Sequence, residues 1–234
     1  MALAKEGVDI TLVARGVEAL GQAGEGIRNA TGAKVKTVVA NINTDAGRAA
    51  AIATCPKPDI LLNNAGGKKP GDFRDWRRDD WISLLYLMML APIEMMRLTF
   101  DGMVNRGFGR IVNIAARGVK IPQVELGLSN GARTGLVGFS AGLAREGIAR
   151  NVTINTILPG IIINGDAQRL RVASLVKEVG LTFDEIWEKR AAQSPRYGRP
   201  EEVGALFAFL ASDHSDPMTG QSILMDGGDY PGTL

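Results

Sequence analysis

Disulfide chemistry is excluded at the outset. The 234 residues contain one cysteine, Cys55, and one histidine, His214. A single thiol cannot close an internal disulfide, and that usage points to a cytoplasmic protein. Cys55 reads as a small, partly buried residue, and His214, in ASDHSDPMTG, as a solvated loop residue. No cluster of His, Cys and carboxylates has metal-ligand spacing, so no metal is expected. Long apolar runs are missing as well. The longest uncharged apolar run, WISLLYLMMLAPI at 81–93, is too short to span a bilayer and reads as a buried helix, so no membrane partner is expected. The opening MALAKEGVDI has an acidic residue at position 6 and no long apolar core, which does not read as a signal peptide. Charge of one sign is scarce: the formal net charge is +2 with bases and acids interleaved, which argues against a nucleic-acid partner. Repeats, low-complexity tracts and linkers are absent, so 1–234 is expected to be a single domain.

What is present alternates. Short runs rich in Val, Ile and Leu at 9–14, 34–40, 59–66, 109–115, 151–160 and 222–228 read as strands. They lack a polar-apolar alternation, which suits strands covered on both faces, as in a parallel sheet. Helical segments at 16–30, 44–54, 78–105, 130–149, 167–179, 183–193 and 200–212 lie between them. Strand and helix in turn predict a doubly wound α/β sheet with helices on both faces. Helix 78–105 is apolar nearly all round: from Trp81 to Met103 its strongly polar side chains are Ser83, Glu94, Arg97, Thr99 and Asp101. The next helix carries Gly131, Gly135, Gly138 and Gly142 on one face. Such a face costs helix propensity and permits close backbone approach. Together the two helices predict a homo-oligomer interface, dimer or tetramer, through 78–105 and 130–149; the alternative is that both simply cover the sheet.

The series DILLNNAG, GRIVNIA, a helix, NVTINTILPG, GRPEEV and MTGQSILMDGG resembles the short-chain dehydrogenase/reductase family, and within it the β-ketoacyl-acyl-carrier-protein reductases. The resemblance runs over nearly the whole chain. It implies a Rossmann-like NAD(P)-binding domain that transfers hydride between nicotinamide and a carbonyl or alcohol. Two departures accompany it. Family members open with a strand and a Gly-rich turn that holds the pyrophosphate, whereas MALAKEGVDITLVAR resembles the end of the following helix running into the second family strand. This start implies an N-terminally incomplete domain, a rearranged sheet, or a partner that fills the gap.

The second departure concerns the chemistry. The family uses an asparagine, a serine, a tyrosine whose pKa is lowered by its neighbours, and a lysine. Counted from GRIVNIA, these positions fall on Met88, Ala116, Ser129 and Arg133. An aliphatic hydroxyl at Ser129 is a poor proton donor, and the permanently charged Arg133 cannot relay a proton. Ser129 also reads as a helix N-cap, and Arg133 as a solvated or ribose-facing arginine. Arg117, Gln123, Glu125, Lys68, Lys69, Tyr86 and Tyr197 are near enough to be weighed as replacements, and each reads first as a solvated residue.

The cofactor positions implied by the resemblance are better kept. Arg15 follows the second family strand, where a cation suits a 2′-phosphate and so favours NADP over NAD. Asn41 stands near the adenine. Asn64, Ala65 and Gly66 would line the ribose, with Arg133 hydrogen-bonding ribose or phosphate oxygens. Pro159, Gly160, Ile162 and Asn164 would flank the nicotinamide. Segment 165–199 is expected to form a substrate lid whose basic residues suit an anionic ligand. Two readings stay open: a 3-oxoacyl-reductase-like oxidoreductase, and an inactive binding or scaffold protein of the same fold; a chain that binds no cofactor is the alternative to NADP.

Overall fold

The computed structural model describes residues 1–66, 70–162, 176, 180, 182, 184–186, 188 and 196–233. Six strands follow the expected segments: β1 Ile10–Ala14, β2 Val35–Val39, β3 Ile60–Asn64, β4 Gly109–Ile114, β5 Val152–Pro159 and β6 Ser222–Met225. All pairings are parallel. The helices are α1 Ala2–Lys5, α2 Val17–Thr31, α3 Asp45–Thr54, α4 Arg78–Leu85, α5 Ala91–Arg106, α6 Gly127–Gly147 and α7 Pro200–Ala211. The segments at 167–179 and 183–193, and most of the lid at 165–199, lie outside the described residues.

The sheet is interrupted where the resemblance implies a further strand. β1 pairs with β2, and β3-β4-β5-β6 form a separate ladder. β1 and β3 do not pair with each other, so a rearranged sheet is not what forms among the described residues. The order is otherwise that of a doubly wound sheet.

Alternation along β4 explains its double burial. Ile111 joins Met96, Phe100, Met103, Leu136 and Val152 under α5 and α6. Its neighbour Val112 joins Ile157 and Leu210 under α7. Side chains on a strand alternate between faces, so a strand covered on both faces must be apolar at every position. Arg110 and Asn113 are the exceptions, and their hydrogen-bond partners account for them.

Arg78–Arg106 is one continuous helical stretch of 29 residues, long and apolar enough by composition to cross a membrane. It is longer than the uncharged run within it suggests. Met96, Phe100 and Met103 are buried in the core with Ile111, Leu136 and Val152, so one face of this helix covers the sheet. Between α4 and α5 the backbone forms a π-turn, Tyr86–Leu90. Half of the glycine face on α6 is used within the subunit: a Cβ at Gly131 would touch Trp81 at 3.4 Å, and one at Gly135 would meet Met89 Sδ at 2.7 Å. Gly138 and Gly142 have open space where a Cβ would stand.

Candidate functional site

Ligands of open α/β sheets bind in the crevice beyond the carboxyl ends of the strands. Arg15 follows β1, Asn41 comes two residues after β2, Asn64 to Gly66 end β3, Ala116 follows β4, and Pro159 to Ile162 end β5. The residues singled out by resemblance therefore lie at one end of the sheet. Asn164 and Lys68 and Lys69 lie outside the described residues.

Arg133, one helical turn beyond Ser129 on α6, is half-buried and bonded to the ends of β3 and β4. Its Nη1 donates to Ile114 O at 2.9 Å and its Nη2 to Ala65 O at 3.2 Å. It thus ties together the ends of β4 and β3. Nε donates to Ser129 Oγ at 3.2 Å. Desolvation lowers the guanidinium from its ordinary range to about 10, so it stays a cation at neutral pH. The expectation of a solvated arginine is corrected by these contacts.

Ser129 is not a helix cap. Helix α6 begins at Gly127, with Leu126 at the N-cap and no side-chain cap. The 3₁₀ turn Val124–Leu126 feeds directly into it, which places Ser129 within the first turn. There its hydroxyl is one helical turn from Arg133 and accepts from it.

Met88 sits in the π-turn and is 2% exposed. It packs with Leu84, Leu128 and Ala132, and Ala65 and Trp76 lie against the same cluster. An apolar plug therefore stands where the family places an asparagine. Ala116 opens a 3₁₀ turn, Arg117–Val119, and contributes no hydroxyl. Arg117 is half-buried and ion-paired with Asp229, so it is not a solvated residue. Gln123 accepts at its carbonyl from Asn130 Nδ2, and the Glu125 carbonyl accepts from Gly71 N. Both therefore shape the loop through their backbone. Tyr86 is 52% exposed, the Tyr197 hydroxyl is buried, and His214 is exposed beside Asp213.

On the adenine side, Arg15 is exposed with no acidic partner among the described residues. Asn41 is exposed, but its Oδ1 accepts from Asn43 N at 3.1 Å, so it also builds the turn into α3. Gly66 is open, with nothing within 4 Å of a Cβ placed there. No cluster that could hold a metal ion occurs among the described residues.

One polar network had no counterpart in the sequence reading. Asn63 Nδ2 donates to Asn113 Oδ1 at 2.9 Å, and Asn113 Nδ2 donates to Ser140 Oγ at 3.0 Å. All three residues are buried, and the chain of bonds locks β3 to β4 and β4 to α6 behind Arg133. The available signal was an asparagine following a run of Ile, Leu or Val in each of two strands, since a buried amide needs partners.

The sequence profile of the family described as Enoyl-(Acyl carrier protein) reductase matches residues 1–229. The acetoacetyl-CoA reductase of Cupriavidus necator is 33% identical over 74% of this chain and 67% of its own length. The 3-oxoacyl-[acyl-carrier-protein] reductase of Salmonella typhimurium is 29% identical over 94% of this chain and 90% of its own. Among solved structures, L-sorbose reductase from Gluconobacter frateurii, complexed with NADPH and L-sorbose, superposes with a TM-score of 0.91 at 30% identity, covering 99% of this chain and 90% of that one. The strand order, the crevice and these relatives agree: the chain belongs to the short-chain dehydrogenase/reductase family, in its ketoreductase-like subgroup.

Proposed function

We propose that the chain is an NAD(P)-dependent oxidoreductase of the 3-oxoacyl-reductase type, interconverting a carbonyl and its alcohol, with NADP as the preferred cofactor. The observation that carries this is the placement of Arg15, Asn64 to Gly66 and Pro159 to Ile162 just past the carboxyl ends of parallel strands, with Arg133 bonded to the ends of β3 and β4. The residues present suit the two ends of a dinucleotide. Arg15 supplies an unpaired, exposed cation for a 2′-phosphate, and the open backbone at Gly66 leaves room for a ribose. No glycine-rich nest for a pyrophosphate occurs among the described residues.

When bound, the nicotinamide supplies the hydride. The chain's own contribution is to bind and polarise. Arg133 and the Ser129 hydroxyl present donors to an oxygen in the crevice, and Met88 with Leu128 and Ala132 keeps water from the floor beneath them. Neither group is an acid near neutral pH, so the proton comes from solvent. The exposed Trp81, Ile82, Tyr86, Leu90, Leu98 and Phe139 on α4, the π-turn, α5 and α6 support assembly as a homo-oligomer through 78–105 and 130–149.

Titration with NADPH and NADH, followed by nucleotide fluorescence, tests the reading. NADPH is expected to bind more tightly, and no binding of either up to millimolar concentration would overturn it. A second reading, a binding protein that keeps the fold without turnover, is favoured by one observation: three N–H groups of Arg133 are already engaged by the protein. Nucleotide binding with no turnover on a panel of ketones and ketoacyl thioesters would support that second reading.

A further inference from the structure

Four arginines among the described residues are buried or half-buried: Arg48, Arg110, Arg117 and Arg133. Three of them face carboxylates, on Asp45, Asp216 and Asp229. Arg133 faces none. Its three partners, Ser129 Oγ, Ile114 O and Ala65 O, are all neutral. A guanidinium carries five N–H groups, so one on each terminal nitrogen remains. The Ser129 hydroxyl accepts from Nε, and its own proton has no acceptor among the described residues. The first turn of α6, on which Ser129 lies, has neither a capping side chain nor an acidic residue, so the positive end of the helix dipole adds to the same field. A desolvated cation without a counter-charge is the unfavourable half of an ion pair.

We propose that the Arg133–Ser129 pair is the receptor for a carboxylate on the substrate, which is therefore a small oxo or hydroxy acid rather than a neutral thioester or sugar. The arginine fork matches a carboxylate's two oxygens, which a lysine at the same position would meet only as a point charge. The apolar patch of Met88, Leu128 and Ala132 fits a short hydrocarbon stem. This proposal names the substrate class of the oxidoreductase reading above and rests on it.

The test uses acetoacetate and its uncharged isostere acetoacetamide, titrated calorimetrically into the full chain with and without oxidised NADP, so that no turnover intervenes. Acetoacetate is expected to bind at least about tenfold more tightly than the amide. That ratio is expected to fall severalfold in Ser129→Ala, to persist in part in Arg133→Lys, and to approach unity in Arg133→Gln. Circular dichroism shows whether each variant is folded; should Arg133→Gln fail to fold, Ser129→Ala and Arg133→Lys carry the test. Equal affinity for acid and amide in the wild-type protein, or no binding of either, overturns the proposal. So does a ratio left unchanged in Arg133→Lys and Ser129→Ala while nucleotide affinity falls, which would give the pair to the cofactor's ribose. Acid selectivity without any nucleotide binding sinks the oxidoreductase reading alone.

Discussion

At the scale of single residues, two buried arginines do opposite things. Arg110 is fully buried in β4 and satisfied: it pairs with Asp216, donates to the carbonyls of Gly109 and Asn151, and lies over the Phe108 ring. Asp216 is 46% exposed, so solvent discounts the pair. Asp216→Asn is expected to cost about 2 kcal/mol in urea unfolding, because the cation stays buried after its partner is neutralised. Arg133 has no such partner among the described residues, and desolvation lowers its pKa to about 10. Above that pH the folded chain gives up a proton that the unfolded one still holds, so stability rises with pH there. Measured against Arg133→Gln, which does not titrate, wild-type stability is expected to gain as pH goes from about 9 to about 11. Arginine at position 133 was plain in the sequence; its inward orientation was not, because its carbonyl partners are 19 and 68 residues away.

At the scale of elements, close backbone approach decides what glycine does. Thr44 caps α3 by accepting from Gly47 N at 3.1 Å, and the incoming turn brings Asn41 O to 2.0 Å from where a Cβ on Gly47 would stand. Gly47→Ala meets backbone, which cannot step aside, and is expected to destabilise by about 3 kcal/mol in thermal or chemical unfolding. On α6 the same substitution has the other sign. Alanine at Gly138 or Gly142 meets nothing within 4 Å, and should raise subunit stability by up to about 1 kcal/mol through helix propensity. If this open face packs against a second copy as proposed, Gly138→Ala combined with Gly142→Ala weakens the oligomer, and sedimentation would show a smaller species. The periodicity of four, three and four marked the face correctly; which glycines the subunit itself consumes depended on Trp81 and Met89 from a different helix.

At the scale of the whole molecule, the interrupted sheet divides the fold into parts of unequal support. β4 and β5 are paired on both edges and nearly fully buried, whereas β1 and β2 form a ladder of two strands with partly exposed residues. A two-stranded ladder is marginal by itself. Amide hydrogen exchange is therefore expected to be faster in β1 and β2 than in β4 and β5, and uniform protection across all four would show that the ladder is supported in a way the described contacts do not provide.

The order of the strands along the chain, their parallel arrangement and the family were determined by the sequence alone. Each of these is written in local periodicity or in motif order along the chain. The tertiary structure decided the rest: that Ser129 serves Arg133 rather than the helix end, that Arg133 clamps β3 to β4, that Arg117 is neutralised by Asp229, and that Asn63, Asn113 and Ser140 form one buried chain. These contacts join segments that meet only through strand register. A buried polar group takes its partner from whatever the register places within hydrogen-bond reach, and no periodicity along the chain encodes that distance.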